Sequence, residues 1–159
     1  MMEPPAHKAA LRVLVTGASR GLGLEFTRQY LARGHHVFAG CRSPASAGSL
    51  RALAAAPGRL DIVPMDVADE ASVDAALDAV TRQTRGLDIL INNAGVFPTS
   101  EKNLDTFDVA TMMRTLRVNT VAPLAIIRKF RGLLRQGREP RIVNIASAAG
   151  SFGTLQANP

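Results

Sequence analysis

Three glycines stand in one short run, Thr16-Gly17-Ala18-Ser19-Arg20-Gly21-Leu22-Gly23, between an apolar segment and an amphipathic one. At a strand-to-helix turn, glycines allow a tight reversal, let a pyrophosphate approach the backbone, and let the helix pack closely on the sheet. The first N–H groups of that helix would then face the phosphates. We predict a dinucleotide-binding turn formed by Gly17, Ser19, Arg20, Gly21, Leu22 and Gly23; the alternative is a plain surface turn.

The segment Phe38–Arg42 bears on which dinucleotide would fit. Folds that prefer NAD place an acid at the end of the second strand, where it bonds the ribose 2′-hydroxyl. No acid is present in this segment. It ends instead with Arg42, whose guanidinium pairs well with a 2′-phosphate. Arg20 adds a second positive charge. We therefore predict NADP rather than NAD, the alternative being that both arginines are simply exposed.

Hydrophobic periodicity predicts the elements that position these residues. Apolar runs predict strands over 11–15, 36–39, 60–65, 87–91 and 141–146. Helical spacing predicts helices over 22–33, 46–55, from Asp69 onward, over 106–115 and over 119–134. This alternation predicts an α/β, Rossmann-type doubly wound parallel sheet in three α/β/α layers. We expect the strand order 3-2-1-4-5, with a ligand crevice between strands 1 and 4.

Composition limits the function classes. With 159 residues and 47% hydrophobic residues, the chain suits one domain, which we predict over 10–159 after a flexible tail over 1–9. The formal charge of +6 raises nucleic-acid binding as an alternative, but the charge comes without a recognition motif. A lone Cys41, no signal peptide and no membrane-length apolar run lead us to expect a cytoplasmic protein with no membrane partner.

Three further motifs follow the glycine turn in order. Asn92-Asn93-Ala94-Gly95 ends the fourth predicted strand, Asn119 lies in Arg117-Val118-Asn119-Thr120, and Ser147 ends the run Ile142–Ser147. With these motifs the chain, from about Leu11 onward, resembles the short-chain dehydrogenase/reductase family. The sequence of Arg20–Phe26 is similar to that of the family's C-factor/sniffer branch. The resemblance implies hydride transfer between NADP(H) and a carbonyl or alcohol carbon.

The resemblance also implies roles for individual residues. Ser147 would hydrogen-bond the substrate oxygen and Asn119 would hold a water relay. Asp66, followed by Val67, would contact the adenine; by local physics alone, Asp66 could equally be a turn or cap residue. At the crevice we expect cofactor contacts from Asn93, Ala94 and Gly95, although Asn93 has the alternative role of bracing neighbouring strands.

The family's catalytic Tyr-x-x-x-Lys motif is absent from the sequence. Tyr30 is the only tyrosine, and none of the three lysines follows it in that spacing. We therefore expect a C-terminally incomplete reductase domain that lacks the catalytic and substrate-binding part and is weakly active or inactive. The alternative is a non-catalytic dinucleotide-binding or regulatory module. The family usually forms dimers or tetramers, and we expect that interface to be incomplete, with the fifth strand as a bare edge.

Overall fold

The computed structural model describes residues 9–98 and 104–147. Five parallel strands form one sheet in the order β3-β2-β1-β4-β5. Their bounds are Arg12–Thr16 (β1), His36–Cys41 (β2), Arg59–Pro64 (β3), Ile89–Asn92 (β4) and Arg141–Asn144 (β5). The predicted doubly wound fold and strand order are confirmed, and the strand order reverses between β1 and β4 as expected.

Helices cover both faces of the sheet. They are Gly21–Ala32 (α1), Gly48–Arg51 (α2), Glu70–Gln83 (α3), Val109–Leu116 (α4) and Ala122–Arg135 (α5). Alternate residues of each strand point to opposite faces, so Val13 and Val15 pack under α1 and α2, whereas Leu14 packs under α3 and α5. The three-layer α/β/α arrangement therefore rests on two separate apolar cores.

Two helical regions differ from the prediction. The single helix expected over 46–55 is broken into 3₁₀ turns at Pro44–Ser46 and Ala52–Ala55 with α2 between them. The two helices expected around residue 117 are continuous through a π turn, Arg117–Val121. Pro123 has no N–H to complete an α-helical bond to the Asn119 carbonyl, which accounts for a wider turn at this point.

The amino ends of β1 and β4 are joined by a buried ion pair. The Asp88 carboxylate is 1% exposed and accepts hydrogen bonds from Arg12 Nε at 2.9 Å and Arg12 Nη2 at 2.8 Å. It also accepts the backbone N–H groups of Arg12 and Arg138, each at 2.8 Å. The side-chain hydrogen bonds from Arg12 are the main reason why the pKa of Asp88 lies well below its usual range.

β5 lies at one edge of the sheet. Among the described residues its only partner strand is β4, and the side chains of Ile142 and Val143 are 45% and 40% exposed. Within residues 9–98 and 104–147, no helix combines the length and apolar character needed to cross a membrane. The same ranges contain no cluster of three His, Cys, Asp or Glu side chains placed to hold a metal ion.

Candidate functional site

The glycine turn connects the carboxyl end of β1 to α1. Gly17 and Gly21 have φ values of +67° and +55°, which side-chain-bearing residues rarely adopt. A Cβ on Gly23 would lie 2.4 Å from the Gly17 carbonyl oxygen, so only glycine permits this packing of α1 on the turn. Around Gly21, by contrast, no atom lies within 4 Å of the position of a Cβ. The turn is closed on its inner side and open on its outer side, as a phosphate-binding turn requires.

A hydrogen-bond clamp holds this turn against the loop that follows β4. The Thr16 hydroxyl accepts the backbone N–H groups of Asn93 and Ala94, each at 3.0 Å. In return, Asn93 Nδ2 donates to the carbonyls of Thr16 at 2.9 Å and Gly17 at 3.2 Å. The side chain of Asn93 therefore braces the two strand ends, and Ala94 and Gly95 form the adjoining wall.

A polar cleft of about 320 Å³ lies beyond the turn. Arg20 and Arg42 both line it, so the structure brings the two predicted cations to one place. The remaining lining residues are small, and four carry hydroxyl groups: Ser19, Ser43, Ser46 and Ser49. Among the described residues that line this cleft none is acidic, so its chemistry suits an anion such as a phosphate.

A second cleft of about 150 Å³ shares Ser19, Arg20 and Arg42 with the first and continues across the ends of the strands. Its walls include Met65–Ala68 after β3, Ala94–Val96 after β4, and Arg114 with Val118 from the helical layer. Cys41 also borders it, and burial raises the pKa of the Cys41 thiol, which keeps the thiol neutral. Together the two clefts form one continuous groove along the carboxyl edge of the sheet.

Asp66 lies in this groove and also shapes its own loop. Its Oδ1 accepts the backbone N–H of Ala68 at 3.0 Å, and its backbone N–H donates to Ser72 Oγ at 2.9 Å. The turn role that local physics allows for Asp66 is therefore present, and Asp66 and Val67 also line the second cleft. The two roles are compatible because one carboxylate oxygen has further acceptor capacity.

Asn119 lies in the π turn and reaches the loop after β4. Its Oδ1 accepts the Val96 N–H at 2.9 Å, and its Nδ2 donates to the Val96 carbonyl at 2.8 Å. This pair of bonds fixes the loop relative to the helical layer. Ser147 follows β5 at the same edge of the sheet, and it is exposed.

Asn92, the last residue of β4, joins this strand to the edge strand β5. Its Nδ2 donates to Asn144 Oδ1 of β5 at 2.9 Å, and the side chain is 4% exposed. Asn92 Oδ1 is buried and has no hydrogen-bond partner among the described residues. Its amide therefore ties β5 to the strand that carries the crevice wall.

The predicted cofactor contacts fall into two groups. Eight of them line the clefts: Gly17, Ser19, Arg20, Arg42, Asp66, Val67, Ala94 and Gly95. Gly21 and Leu22 are exposed at the start of α1, while Gly23 is buried behind the turn and Asn93 is half-buried.

Three further residues at the site, Thr16, Ser43 and Arg114, were not predicted from the sequence. The run of serines after Arg42 is a local signal for Ser43. Arg114 has no such signal, because the residues that share its cleft come from distant loops.

Comparison with known proteins gives consistent matches. The profile of the family described as short chain dehydrogenase matches residues 11–158. Galactitol 2-dehydrogenase of Agrobacterium fabrum is 32% identical over 145 residues, covering 88% of this chain and 54% of that protein. An NADPH-bound carbonyl reductase from chicken fatty liver is 36% identical with a TM-score of 0.85, covering 93% of this chain and 64% of that one.

The carbonyl reductase Sniffer of Caenorhabditis elegans is a further structural neighbour. It is 26% identical with a TM-score of 0.83, covering 93% of this chain and 68% of that one. The chain thus spans about half to two thirds of the length of the relatives it matches.

Proposed function

The chain belongs to the short-chain dehydrogenase/reductase family, and from that premise we propose that it binds NADP(H) as part of an oxidoreductase acting on a carbonyl or alcohol. The observation that carries the proposal is the first cleft of the groove, in which Arg20 and Arg42 lie together with four serine hydroxyl groups and without an acid among the described lining residues. A 2′-phosphate distinguishes NADP from NAD, and this end of the groove is suited to receive it.

The described residues fit such a cofactor in three ways. The open side of Gly21 leaves room for a pyrophosphate, and the start of α1 directs N–H groups toward it. Arg20 and Arg42 supply positive charge where the 2′-phosphate would lie. The apolar walls of the second cleft, including Val67 and Ala94, suit a flat base. Of the residues outside the clefts, Gly21 and Leu22 remain proposed contacts, while Gly23 and Asn93 support the turn.

The cofactor, when bound, supplies or accepts a hydride at its nicotinamide ring. We assign to Ser147 a hydrogen bond to the substrate oxygen, and to Asn119 the positioning of the proton relay. A proton must accompany the hydride, and the family's general acid/base tyrosine and its lysine have no equivalent in the 159 residues. General acid–base groups contribute about 10² to 10⁴ in rate, so the 159-residue chain should turn over slowly or not at all.

A non-catalytic dinucleotide-binding or regulatory module is the second candidate. Such a module needs only the groove described above, whereas the presence of both Ser147 and Asn119 favours the oxidoreductase. A cytoplasmic location, assembly into a homo-oligomer and membership of the C-factor/sniffer branch belong to the same proposal. A purified preparation that reduces model carbonyls with NADPH at rates ordinary for the family would rule out both the low turnover and the non-catalytic candidate.

Cofactor selection is tested by titrating the 159-residue chain with NADPH and with NADH by calorimetry. We expect tighter binding of NADPH, and equal affinities would contradict the proposal. Arg42→Ala should weaken NADPH binding about 10- to 100-fold, because a charge-assisted hydrogen bond is worth about 1.5–3 kcal/mol. NADH binding should change little. Arg82→Ala, which removes an exposed arginine of α3, is the matched control and should alter neither affinity.

A further inference from the structure

Arg114 of α4 borders the second cleft of the groove, which residues of the glycine turn also line. Its side chain lines the second cleft together with Asp66, Val67 and Ala94, although these residues come from three separate segments of the chain. Among the described residues, no hydrogen bond or ion pair of the Arg114 guanidinium is found. With respect to the described residues, this cation at the wall of the groove is available to a ligand.

The next arginine along the helix provides a contrast. Arg117 donates from Nε to the Ala68 carbonyl at 2.5 Å, so it ties the helical layer to the loop after β3. Val118, which is 6% exposed, closes the cleft beside it. Arg117 thus holds the wall in place, whereas Arg114 is a part of the wall that faces the groove.

Covalent geometry indicates which part of the cofactor would lie beside Arg114. This inference rests on the proposed function, in which the 2′-phosphate lies between Arg20 and Arg42. The adenine is attached to the ribose that carries the 2′-phosphate, so it must lie close to those two cations. The second cleft is continuous with the first at Ser19, Arg20 and Arg42, and its remaining walls are largely apolar.

We propose that Arg114 is a cofactor-binding residue that covers the adenine with its guanidinium plane. A planar, weakly hydrated guanidinium stacks well on an aromatic base, and such contacts occur where proteins hold nucleobases. Because adenine is common to NADPH and NADH, Arg114 contributes affinity without selecting between them. Selection belongs to Arg20 and Arg42 at the other end of the adenosine.

The test compares both cofactors on one variant. Arg114→Ala should weaken NADPH and NADH by the same factor, about 5- to 30-fold, as expected for a cation–π contact of about 1–2 kcal/mol. Arg114→Lys keeps the charge but loses the planar group, and it should recover only part of the affinity. Arg131→Ala, an exposed arginine of α5, is the control and should bind both cofactors like the wild type.

The outcomes separate this inference from the proposal on which it rests. If the wild-type chain binds neither cofactor, the proposed function fails. If the wild type binds NADPH and Arg114→Ala matches Arg131→Ala, the adenine contact alone is wrong. A loss confined to NADPH in Arg114→Ala would also overturn it, because that result would make Arg114 a ligand of the 2′-phosphate. Melting temperatures near that of the wild type should accompany the expected result, since Arg114 is exposed.

Discussion

At its amino end the strand pair β1–β4 encloses an anion, whereas at the carboxyl end of the sheet the segments after β1 and β2 present cations and N–H donors outward. Asp88 at the amino end receives four hydrogen bonds from the backbone and side chain of Arg12 and from the backbone of Arg138. At the carboxyl end, Arg20 and Arg42 line the first cleft of the groove, where none of the described lining residues is acidic.

The two ends of the sheet therefore have different roles: the amino end contributes to stability, and the carboxyl end contributes to ligand binding. A buried charge with every partner supplied by the protein contributes to the folded state and has no capacity left for a ligand. Charges whose partners the protein does not supply cost little while exposed and become useful when an anion arrives. Substitutions at the two ends should therefore divide cleanly between the free energy of unfolding and the affinity for NADPH.

The largest expected effect is at the closed end. Asp88→Ala leaves the partly buried Arg12 guanidinium and the Arg138 N–H without their acceptor, and it should lower the free energy of unfolding by about 3–5 kcal/mol. Urea titrations followed by circular dichroism measure this loss. The control is Asp78→Ala, which removes an exposed carboxylate of α3 and should unfold near the wild-type midpoint. NADPH affinity of the folded Asp88→Ala fraction should be unchanged, and a selective loss of binding would break the division between the two ends.

Lowering the pH is a second way to weaken the ion pair between Asp88 and Arg12. The pKa of Asp88 is lower in the folded protein than its value of about 3.9 in an unfolded chain, so the folded state binds fewer protons in this range. The contribution of Asp88 is therefore complete above about pH 5 and declines as the pH falls below about 4. Urea midpoints of the wild type should drop over this interval. Those of Asp88→Asn should start lower and fall less steeply; parallel curves would show that another group dominates the acid response.

The glycine turn tests the open end by steric means. Gly23→Ala puts a Cβ within 2.5 Å of both the Gly17 carbonyl and Asn93 Nδ2, so the turn must shift. We expect a loss of about 1–3 kcal/mol in the free energy of unfolding, together with loss of measurable NADPH binding. Gly132→Ala, on the exposed side of α5 where nothing lies within 4 Å, is the control. It should keep NADPH binding and raise stability by about 0.5–1 kcal/mol, because alanine favours the helix.

The parts of the fold that could be predicted from the sequence are those determined by residues close together in the chain. The strands followed from periodicity, and the positive φ values of Gly17 and Gly21 followed from turn chemistry within a few residues. The strand order followed from the regular alternation of strands and helices. The Asp69 cap of α3 was equally local, and its side chain accepts the Ala71 N–H at 3.0 Å as expected. The broken region around Gly48 was missed because alanine-rich helical spacing outweighed the Pro44 and Gly48 signals.

Site residues that depend on long-range packing could not be predicted in the same way. Asn119 was found through a motif, but its pairing with the Val96 backbone joins segments 23 residues apart, and no local pattern indicates it. Asp88 interrupted an apolar strand and carried no visible role until Arg12 and Arg138 were brought to it. Predictions on residues 1–8 and beyond Ser147, including the flexible tail, lie outside the described residues.

The smallest expected effect is at Thr16, where the open end is held together internally. Thr16→Val keeps the side-chain shape but removes the acceptor of the Asn93 and Ala94 N–H groups. Thr16 is 1% exposed, but Asn93 and Ala94 are half-buried. We expect their loop to shift enough to hydrate the two N–H groups, so that the loss in unfolding free energy is near 1 kcal/mol. NADPH affinity should nevertheless fall several-fold, since the wall formed by Ala94 and Gly95 is no longer fixed to the glycine turn. Thr16→Ser retains the hydroxyl and should restore the affinity. If Thr16→Val changed stability and affinity no more than Thr16→Ser, the clamp would have no part in shaping the groove.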